Sequence, residues 1–140
     1  MTEALAGHLA DGVHRLSIRV YYEDTDAGGI VYHANYLKYC ERGRTDFLRL
    51  LGIRHSRLDN LAFVVRRMGC EFLKPARLDD VVEVETRLCE LGGARIDLAQ
   101  EVTRRADVLF TAAVTVALVD ATGRPRRLPK EMAELLKFLP

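Results

Sequence analysis

The chain has 140 residues, of which 49% are hydrophobic. That length predicts one domain, able to bury roughly 70% of the surface that its unfolded chain would expose. Lys and Arg number 21 against 20 for Asp and Glu, which leaves a formal net charge of +1. This balance excludes a general attraction to nucleic acid or to an anionic membrane, so any anion site must be local.

The N-terminus and the cysteines predict a cytoplasmic protein. No apolar run approaches the ~20 residues that span a bilayer, and residues 1–8 lack the basic and apolar regions of a signal peptide. Cys40, Cys70 and Cys89 are odd in number and flanked by apolar residues, so we predict buried free thiols. Neither these thiols nor the four histidines have metal-ligand spacing, and we expect no metal site. Residues 1–140 should form the single domain, with residues 1–13 as a poorly ordered extension.

Hydrophobic periodicity predicts a strand and then a long helix. Alternation over residues 15–22 predicts a strand whose inward side chains are Leu16, Ile18, Val20 and Tyr22. Steps of three and four residues then predict an amphipathic helix from about residue 34 to 51, with an apolar stripe that includes Tyr36, Cys40, Gly43 and Phe47. Gly52 supplies the stop. A mid-helix glycine costs about 1 kcal/mol relative to alanine, so Gly43 reflects either close approach of sheet backbone or chance.

Four further extended stretches predict an antiparallel meander: residues 62–74, 80–91, 94–104 and 108–120. Their short connections, marked by Pro75, Gly92-Gly93 and Gly123, leave no room for parallel crossovers. Both faces of the last stretch are mainly apolar, which is consistent with a second face covered by a partner subunit. A short helix begins near Pro129, with an apolar side made of Met132, Leu135, Leu136 and Leu139. The order predicts an α+β fold in which one sheet covers one mainly buried helix.

The loop between the first strand and the long helix carries the best candidate chemistry. Residues 19–37 read RVYYEDTDAGGIVYHANYL, with carboxylates and paired glycines directly before a helix start. The free N–H groups of a helix start carry partial positive charge, and Gly28 and Gly29 let backbone approach a bound substrate. Such a loop can polarise a carbonyl and deliver a base, so we interpret it as an active site. We expect Asn35 to cap the helix rather than to take part in catalysis.

This stretch resembles the signature of the hotdog-fold acyl-CoA thioesterases, in particular the YbgC type associated with the bacterial Tol–Pal cluster, and more distantly 4-hydroxybenzoyl-CoA thioesterase. The specific likeness covers residues 19–51, and a weaker one continues through residues 72–76, 117–120 and 128–129. The resemblance implies a hotdog fold, with an antiparallel sheet of about five strands wrapped around one long central helix and a short C-terminal helix. It also implies a homodimer or homotetramer with active sites between subunits.

The resemblance also implies roles for individual residues. In the pattern Asp-x-Asp-x-x-Gly the second aspartate is catalytic, which corresponds to Asp26 as nucleophile or as general base for water, with Asp24 in support. His33 would contribute its backbone N–H to the oxyanion that forms on the thioester carbonyl, while its imidazole orients water or substrate. Tyr22 would line the acyl pocket. No metal or redox cofactor is implied. Taken singly, a turn aspartate is more often a cap and an isolated histidine more often a solvent contact.

An acyl-CoA substrate also needs cations for its phosphates. The candidates by surface placement are Arg95 after the Gly92-Gly93 turn and three arginines near residue 125, namely Arg124, Arg126 and Arg127. A solvated run of charges is the alternative interpretation of each.

Other functions are compatible with parts of the sequence. Asp24-Thr25-Asp26 superficially matches the aspartate pair of haloacid-dehalogenase-type phosphatases, which use Mg²⁺ but need a parallel sheet. A hotdog dehydratase would require another arrangement of its histidine and acid. In a different class, the chain would bind acyl groups or acyl carrier protein in membrane-associated lipid or envelope assembly, peripheral to the inner membrane and with only weak hydrolysis.

Overall fold

Six strands and two helices lie within residues 5–54 and 58–140, the parts of the chain that the computed structural model describes. In chain order they are β1 (His8–Ala10), β2 (Val13–Arg19), α1 (His33–Leu50), β3 (Ala62–Phe72), β4 (Val81–Leu91), β5 (Arg95–Arg104), β6 (Asp107–Val119) and α2 (Lys130–Lys137). A 3-10 turn at Tyr22–Asp24 separates β2 from the loop before α1. Neither α1 nor α2 is long and apolar enough to cross a membrane.

The strands form one sheet in the order β1-β2-β4-β5-β6-β3, and every neighbouring pair is antiparallel. Strands β4, β5 and β6 form the predicted meander. The prediction that β3 belongs to that meander is wrong, because β3 pairs with β6 at the far edge while β2 takes the other side of β4. Alternation along a strand reports which face is buried but carries no information about its neighbour. The antiparallel sheet also does not fit the parallel architecture of the phosphatase alternative.

Helix α1 packs on the inner face of the sheet through the predicted stripe. Tyr36, Cys40, Gly43 and Phe47 are all buried. A Cβ built on Gly43 would lie 2.8 Å from Cγ1 of Val84 in β4, so close approach explains this glycine. The approaching atoms belong to side chains of the sheet, whereas the sequence analysis weighed only the sheet backbone against chance.

The C-terminus of α1 ends as predicted. Gly52 has a φ of +84°, where glycine is favoured over other residues. Its N–H donates to the Arg49 carbonyl and the N–H of Ile53 donates to the Leu48 carbonyl, both at 2.9 Å. These two bonds form a Schellman motif, which satisfies carbonyls that the end of a helix otherwise leaves free.

Three expectations about individual segments need correction. Residues 8–10, placed in a poorly ordered extension, form β1 and pair with β2; residues 1–4 lie outside the described ranges, as does His55. Cys40 is buried and Cys70 half-buried, but Cys89 is exposed, because the register of β4 shifts between Leu88 and Glu90. In α2, Met132 and Leu136 are buried whereas Leu135 is 43% exposed.

The connection from β3 to β4 brings a third segment to the loop before α1. Residues 73–80 cross three strand spacings, about 14 Å, at one end of the sheet. In this connection the N–H of buried Ala76 donates to the Tyr36 hydroxyl, and its carbonyl accepts from the N–H of Val31, both at 2.9 Å. The loop, the first turns of α1 and the connection are therefore fixed to one another.

Candidate active site

A small hairpin holds the acidic loop. The N–H of Asp26 donates to the Ile30 carbonyl at 2.9 Å, and the N–H of Gly29 donates back to the Asp26 carbonyl at 3.0 Å. Thr25 and Val31 form the next bridge of the same hairpin. Gly29 has a φ of +78°, which a three-residue hairpin loop of this kind requires at its last position.

The Asp26 carboxylate is exposed and only partly used by the loop. Its Oδ1 accepts the N–H of Gly28 at 2.8 Å, while Oδ2 has no hydrogen-bond partner among the described residues. A Cβ built on Gly28 would lie 3.3 Å from Oδ1, so any larger residue at position 28 would crowd the Asp26 carboxylate. One oxygen thus orients the group, and the other remains free to act on a bound molecule.

Asp24 faces into the loop instead. Its Oδ2 accepts the N–H of Tyr21 at 2.9 Å, and its carbonyl accepts both the N–H of Tyr32 and the side-chain amide of Asn35. Asn35 is therefore not the helix cap that we expected, since Tyr32 occupies that position and Asn35 is the third residue of α1. The Asn35 amide instead ties the loop to the helix.

The start of α1 presents unused hydrogen-bond donors. Within the described chain the N–H groups of His33 and Ala34 have no hydrogen-bond partner, whereas the N–H of Asn35 donates to the Tyr32 carbonyl at 2.8 Å. The exposed His33 ring packs against Tyr32, with centroids 4.5 Å apart, and meets Phe72 edge-on at 6.1 Å. Two free N–H groups at the positive end of a helix favour an oxygen that gains negative charge.

An apolar pocket of about 270 Å³ opens beside these donors. It is lined by His33, Tyr36, Phe72 and Leu73 together with Ile30, Val31, Lys74 and Pro75. Phe72 lies 4.9 Å from Phe110 and 6.0 Å from Tyr36 between ring centroids. Burial raises the pKa of Tyr36, so its hydroxyl stays neutral while it accepts the Ala76 N–H. The pocket suits the apolar part of a ligand whose polar group lies at the helix start.

Tyr22 does not line this pocket. Strand β2 ends at Arg19, and the last inward-facing residue is Val20. Tyr22 begins the 3-10 turn and is 83% exposed. The alternation of apolar residues extended the predicted inward face two residues too far, to Tyr22. In the structure the 3-10 turn begins at Tyr22, so its side chain does not continue the inward face of the strand.

The predicted phosphate-binding arginines lie at the opposite end of the sheet from Asp26 in the same chain. Arg95 pairs with Ala117 in β6, seven residues or about 24 Å along the strand from Phe110. Arg95 also forms ion pairs with Asp97 and Glu90. The segment after β6 lies at this same end, where the Leu128 N–H donates to the Gly93 carbonyl. This segment carries Arg124, Arg126 and Arg127, and Arg126 forms an ion pair with Asp120.

Two cations that the sequence analysis did not select lie closer to the loop. Lys74 lines the apolar pocket and is 3.4 Å from Asp107, and Arg77 pairs through its backbone with Ile30. Phe72, which forms the pocket wall, was not selected either. The weaker likeness at residues 72–76 was the available signal for Phe72 and Lys74. This likeness alone gave no reason to place residues 72–76 beside residues 26–33.

The comparisons with known proteins agree on one family. The Thioesterase superfamily profile matches residues 28–111. The acyl-CoA thioesterase YbgC of Haemophilus influenzae is 43% identical over 89% of this chain and 94% of its own length. The YbgC of Helicobacter pylori strain 26695 is 38% identical over 86% of this chain and 98% of its own.

A solved structure shows the same relationship in three dimensions. A probable thioesterase from Bartonella henselae is 42% identical, with a TM-score of 0.81 over 84% of this chain and 99% of that one. A 1,4-dihydroxy-2-naphthoyl-CoA thioesterase from Synechocystis, at 19% identity and a TM-score of 0.84, shares the fold. The chain therefore belongs to the thioesterase superfamily and is a hotdog-fold enzyme of the YbgC type.

Proposed function

We propose that the chain hydrolyses acyl-CoA thioesters to free CoA and a carboxylic acid at the start of α1. The observation that carries this proposal is that, within residues 5–54 and 58–140, the N–H groups of His33 and Ala34 and one oxygen of the nearby Asp26 carboxylate have no hydrogen-bond partner. The apolar pocket beside His33 suits an acyl group. The names of the YbgC relatives support the substrate class.

In the proposed reaction the thioester carbonyl oxygen accepts hydrogen bonds from the N–H groups of His33 and Ala34. These bonds strengthen as the oxygen becomes negative in the tetrahedral transition state. The bond from carbon to sulfur then breaks, and CoA leaves as a thiolate that takes up a proton. The exposed His33 imidazole orients water or substrate, and Gly28 and Gly29 let the backbone approach the reacting group.

Asp26 can act by either of two routes. As a nucleophile, its carboxylate attacks the carbonyl carbon and forms an anhydride that water then opens. As a general base, it takes a proton from a water that attacks directly. In a single turnover in labelled water, the base route places solvent oxygen only in the released acid, whereas opening of the anhydride at the enzyme carboxyl labels Asp26.

The assembly that we propose is formed through strand β3. Among the described strands this 11-residue strand pairs only with β6, on one side, and it exposes Val64, Val65 and Phe72. An edge with free backbone groups and apolar side chains is a template for a strand of another chain. We therefore propose that a second copy joins β3 to β3 and completes the site. Such pairing would also bring partner residues, arginines included, towards the Asp26 loop.

The proposed chemistry is tested by replacing Asp26 with a neutral residue of the same shape. We expect Asp26→Asn to lower kcat for thiol release from acyl-CoA on the order of 100-fold or more, with folding intact. Glu23→Gln is the matched control, because Glu23 is exposed in the adjacent turn and the change removes the same charge. Asp24→Asn should cost less turnover than Asp26→Asn, because the Asp24 carboxylate holds the loop.

Equal loss in Asp26→Asn and Glu23→Gln would contradict the assignment of Asp26. Failure of the wild-type protein to hydrolyse any of a panel of short, long and aromatic acyl-CoAs would contradict the function itself. That second result would favour the binding of acyl groups or acyl carrier protein.

A further inference from the structure

The connection from β3 to β4 forms one wall of the pocket beside His33. That wall consists of Leu73, Lys74 and Pro75. The sheet fixes the first two residues, because their N–H groups both donate to the Leu109 carbonyl of β6, at 2.8 and 3.1 Å. Pro75 has no N–H to donate, so the wall needs a different support at this residue.

Arg104, the last residue of β5, supplies that support. Its Nη1 donates to the Pro75 carbonyl at 3.2 Å and to Oδ2 of Asp80 at 2.8 Å. In the described part of the chain, Asp80 is the one carboxylate with which Arg104 forms an ion pair. The Arg104 side chain is 28% exposed and the Asp80 side chain 26%, so water and salt screen this pair only in part. Arg104 thus joins the wall to the far end of the connection.

Asp80 is itself fixed, which makes it a firm partner for Arg104. Its Oδ2 also accepts the N–H of Arg77 at 2.9 Å, and its carbonyl accepts the N–H of Val20 at 2.8 Å. Burial acts to raise the pKa of Asp80, but the hydrogen bonds from Arg104 and from the Arg77 N–H outweigh burial and lower that pKa. The carboxylate therefore stays charged at neutral pH.

The residue after Pro75 carries the same wall to α1 and to the Asp26 hairpin. Ala76 is fully buried. Its N–H donates to the Tyr36 hydroxyl and its carbonyl accepts the N–H of Val31, both at 2.9 Å. A displacement of Pro75 would therefore disturb both of these bonds.

We propose that Arg104 and Asp80 are a positioning pair that holds the wall at Pro75 and thereby sets how well the pocket accepts acyl groups longer than acetyl. Neither side chain lines the pocket, so both act through the backbone of the connection. A displaced wall loses contact with a long acyl chain, whereas the methyl group of an acetyl thioester is too short to depend on that contact. The effect on hydrolysis rests on the proposed function, but the effect on the backbone does not.

The first test compares kcat/KM for hexanoyl-CoA and for acetyl-CoA in the wild type, Asp80→Asn and Arg104→Gln. Asp80→Asn keeps an oxygen for the Arg77 N–H and removes the charge that holds Arg104. We expect each variant to lower kcat/KM about 10-fold or more for hexanoyl-CoA and less than about 3-fold for acetyl-CoA. Loss of folded protein would lower both values by the same factor. A ratio of the two values that is unchanged in both variants would overturn the proposal.

A second ion pair of the sheet provides the matched control. Arg15 of β2 lies 3.0 Å from Glu85 of β4, its partner across the two strands, and away from the connection. Arg15→Gln should keep the wild-type ratio of hexanoyl-CoA to acetyl-CoA hydrolysis. The double variant of Asp80→Asn and Arg104→Gln should change the ratio no more than either single variant. An equal change in Arg15→Gln, or additive changes in the double variant, would overturn the proposal.

Hydrogen exchange tests the pair without using activity. Asp80→Asn and Arg104→Gln should each speed exchange of the Ala76 amide about 10-fold or more, because its bond to Tyr36 opens more often. The Ile53 amide, which donates to the Leu48 carbonyl at the end of α1, should keep its wild-type rate. Wild-type exchange at Ala76 in both variants would overturn the proposal. If the wild type hydrolyses no acyl-CoA, the proposed function fails, and exchange at Ala76 still decides whether the pair holds the wall.

Discussion

Gly29 shows how one backbone conformation positions the proposed catalytic carboxylate. Its φ of +78° lets its N–H reach the Asp26 carbonyl and closes the turn. Any other residue at positive φ costs about 1–2 kcal/mol, because its Cβ crowds the neighbouring carbonyl. The chain can relieve that strain only by changing the turn that holds Asp26.

We therefore expect Gly29→Ala to lose about 1–2 kcal/mol of stability and to lower kcat on the order of tenfold or more. Urea denaturation and thiol release measure the two effects. Gly123→Ala is the control, because Gly123 has a φ of +85° in the turn after β6 and, like Gly29, has open space around a built Cβ. It should lose similar stability and keep full turnover. An unchanged kcat in Gly29→Ala would show that the turn does not position Asp26.

For individual residues, the sequence predicted the loop before α1 better than it predicted the residues that contact this loop. The paired glycines and the helix start follow from local turn chemistry, which neighbouring residues determine. Tyr22 was misplaced because alternation alone does not show where a strand gives way to a 3-10 turn. Asn35 was taken for a cap because its residue type favours that position, whereas Tyr32 occupies it. Lys74 and Arg77 were missed because they reach the loop through the connection from β3 to β4, which crosses the sheet.

Among the elements, α1 and β4 are the most closely fitted. Gly43 of α1 faces Val84 and Thr86 of β4, and a built Cβ would lie 2.8 Å from Cγ1 of Val84. Since a side chain of the sheet already fills this space, helix and sheet are at their closest approach. The glycine weakens the helix but permits the packing.

Gly43→Ala should accordingly destabilise the protein. Alanine gains about 1 kcal/mol in helix propensity, but forcing a methyl group into this contact costs about 1–3 kcal/mol, so we expect a net loss in urea denaturation. Gly69→Ala, in β3 with open space around a built Cβ, should change stability little. Adding Val84→Ala should recover much of the loss. Greater stability of Gly43→Ala than of the wild type would mean that the sheet moves aside freely.

Periodicity predicted the elements but only part of their arrangement. Helix α1, the final helix and the hairpins of β4, β5 and β6 follow from local patterns and turns. The position of β3 does not follow from local patterns, because a strand with the same apolar alternation could lie beside β4 or beside β6. Strand β1 was missed because three residues are too few for a periodic signal.

For the whole molecule, the proposed assembly makes β3 an internal strand of a larger sheet. Although β3 also carries Arg66, Arg67 and Glu71, its 11-residue length and its exposed apolar side chains are unusual for an edge strand, since natural edges are usually short or carry charges. Joining two copies at β3 removes this edge from each.

A charge at this edge should dissociate the assembly. We expect light scattering to give at least twice the chain mass of 15.8 kDa for the wild type and a shift towards a single chain for Val64→Asp. Val81→Asp is the matched control, because Val81 has similar exposure, 48% against 42%, at the start of β4 away from that edge. A wild-type mass of one chain, or equal dissociation in both variants, would contradict pairing through β3.

The most direct test of the central claim is a crystal structure of Asp26→Asn with an acyl-CoA thioester bound. We predict that the thioester carbonyl oxygen lies about 2.7–3.1 Å from the backbone nitrogens of His33 and Ala34, with the acyl group in the pocket lined by Tyr36 and Phe72. The side chain at position 26 should face the carbonyl carbon. A thioester carbonyl bound away from the start of α1 would contradict the proposed mechanism.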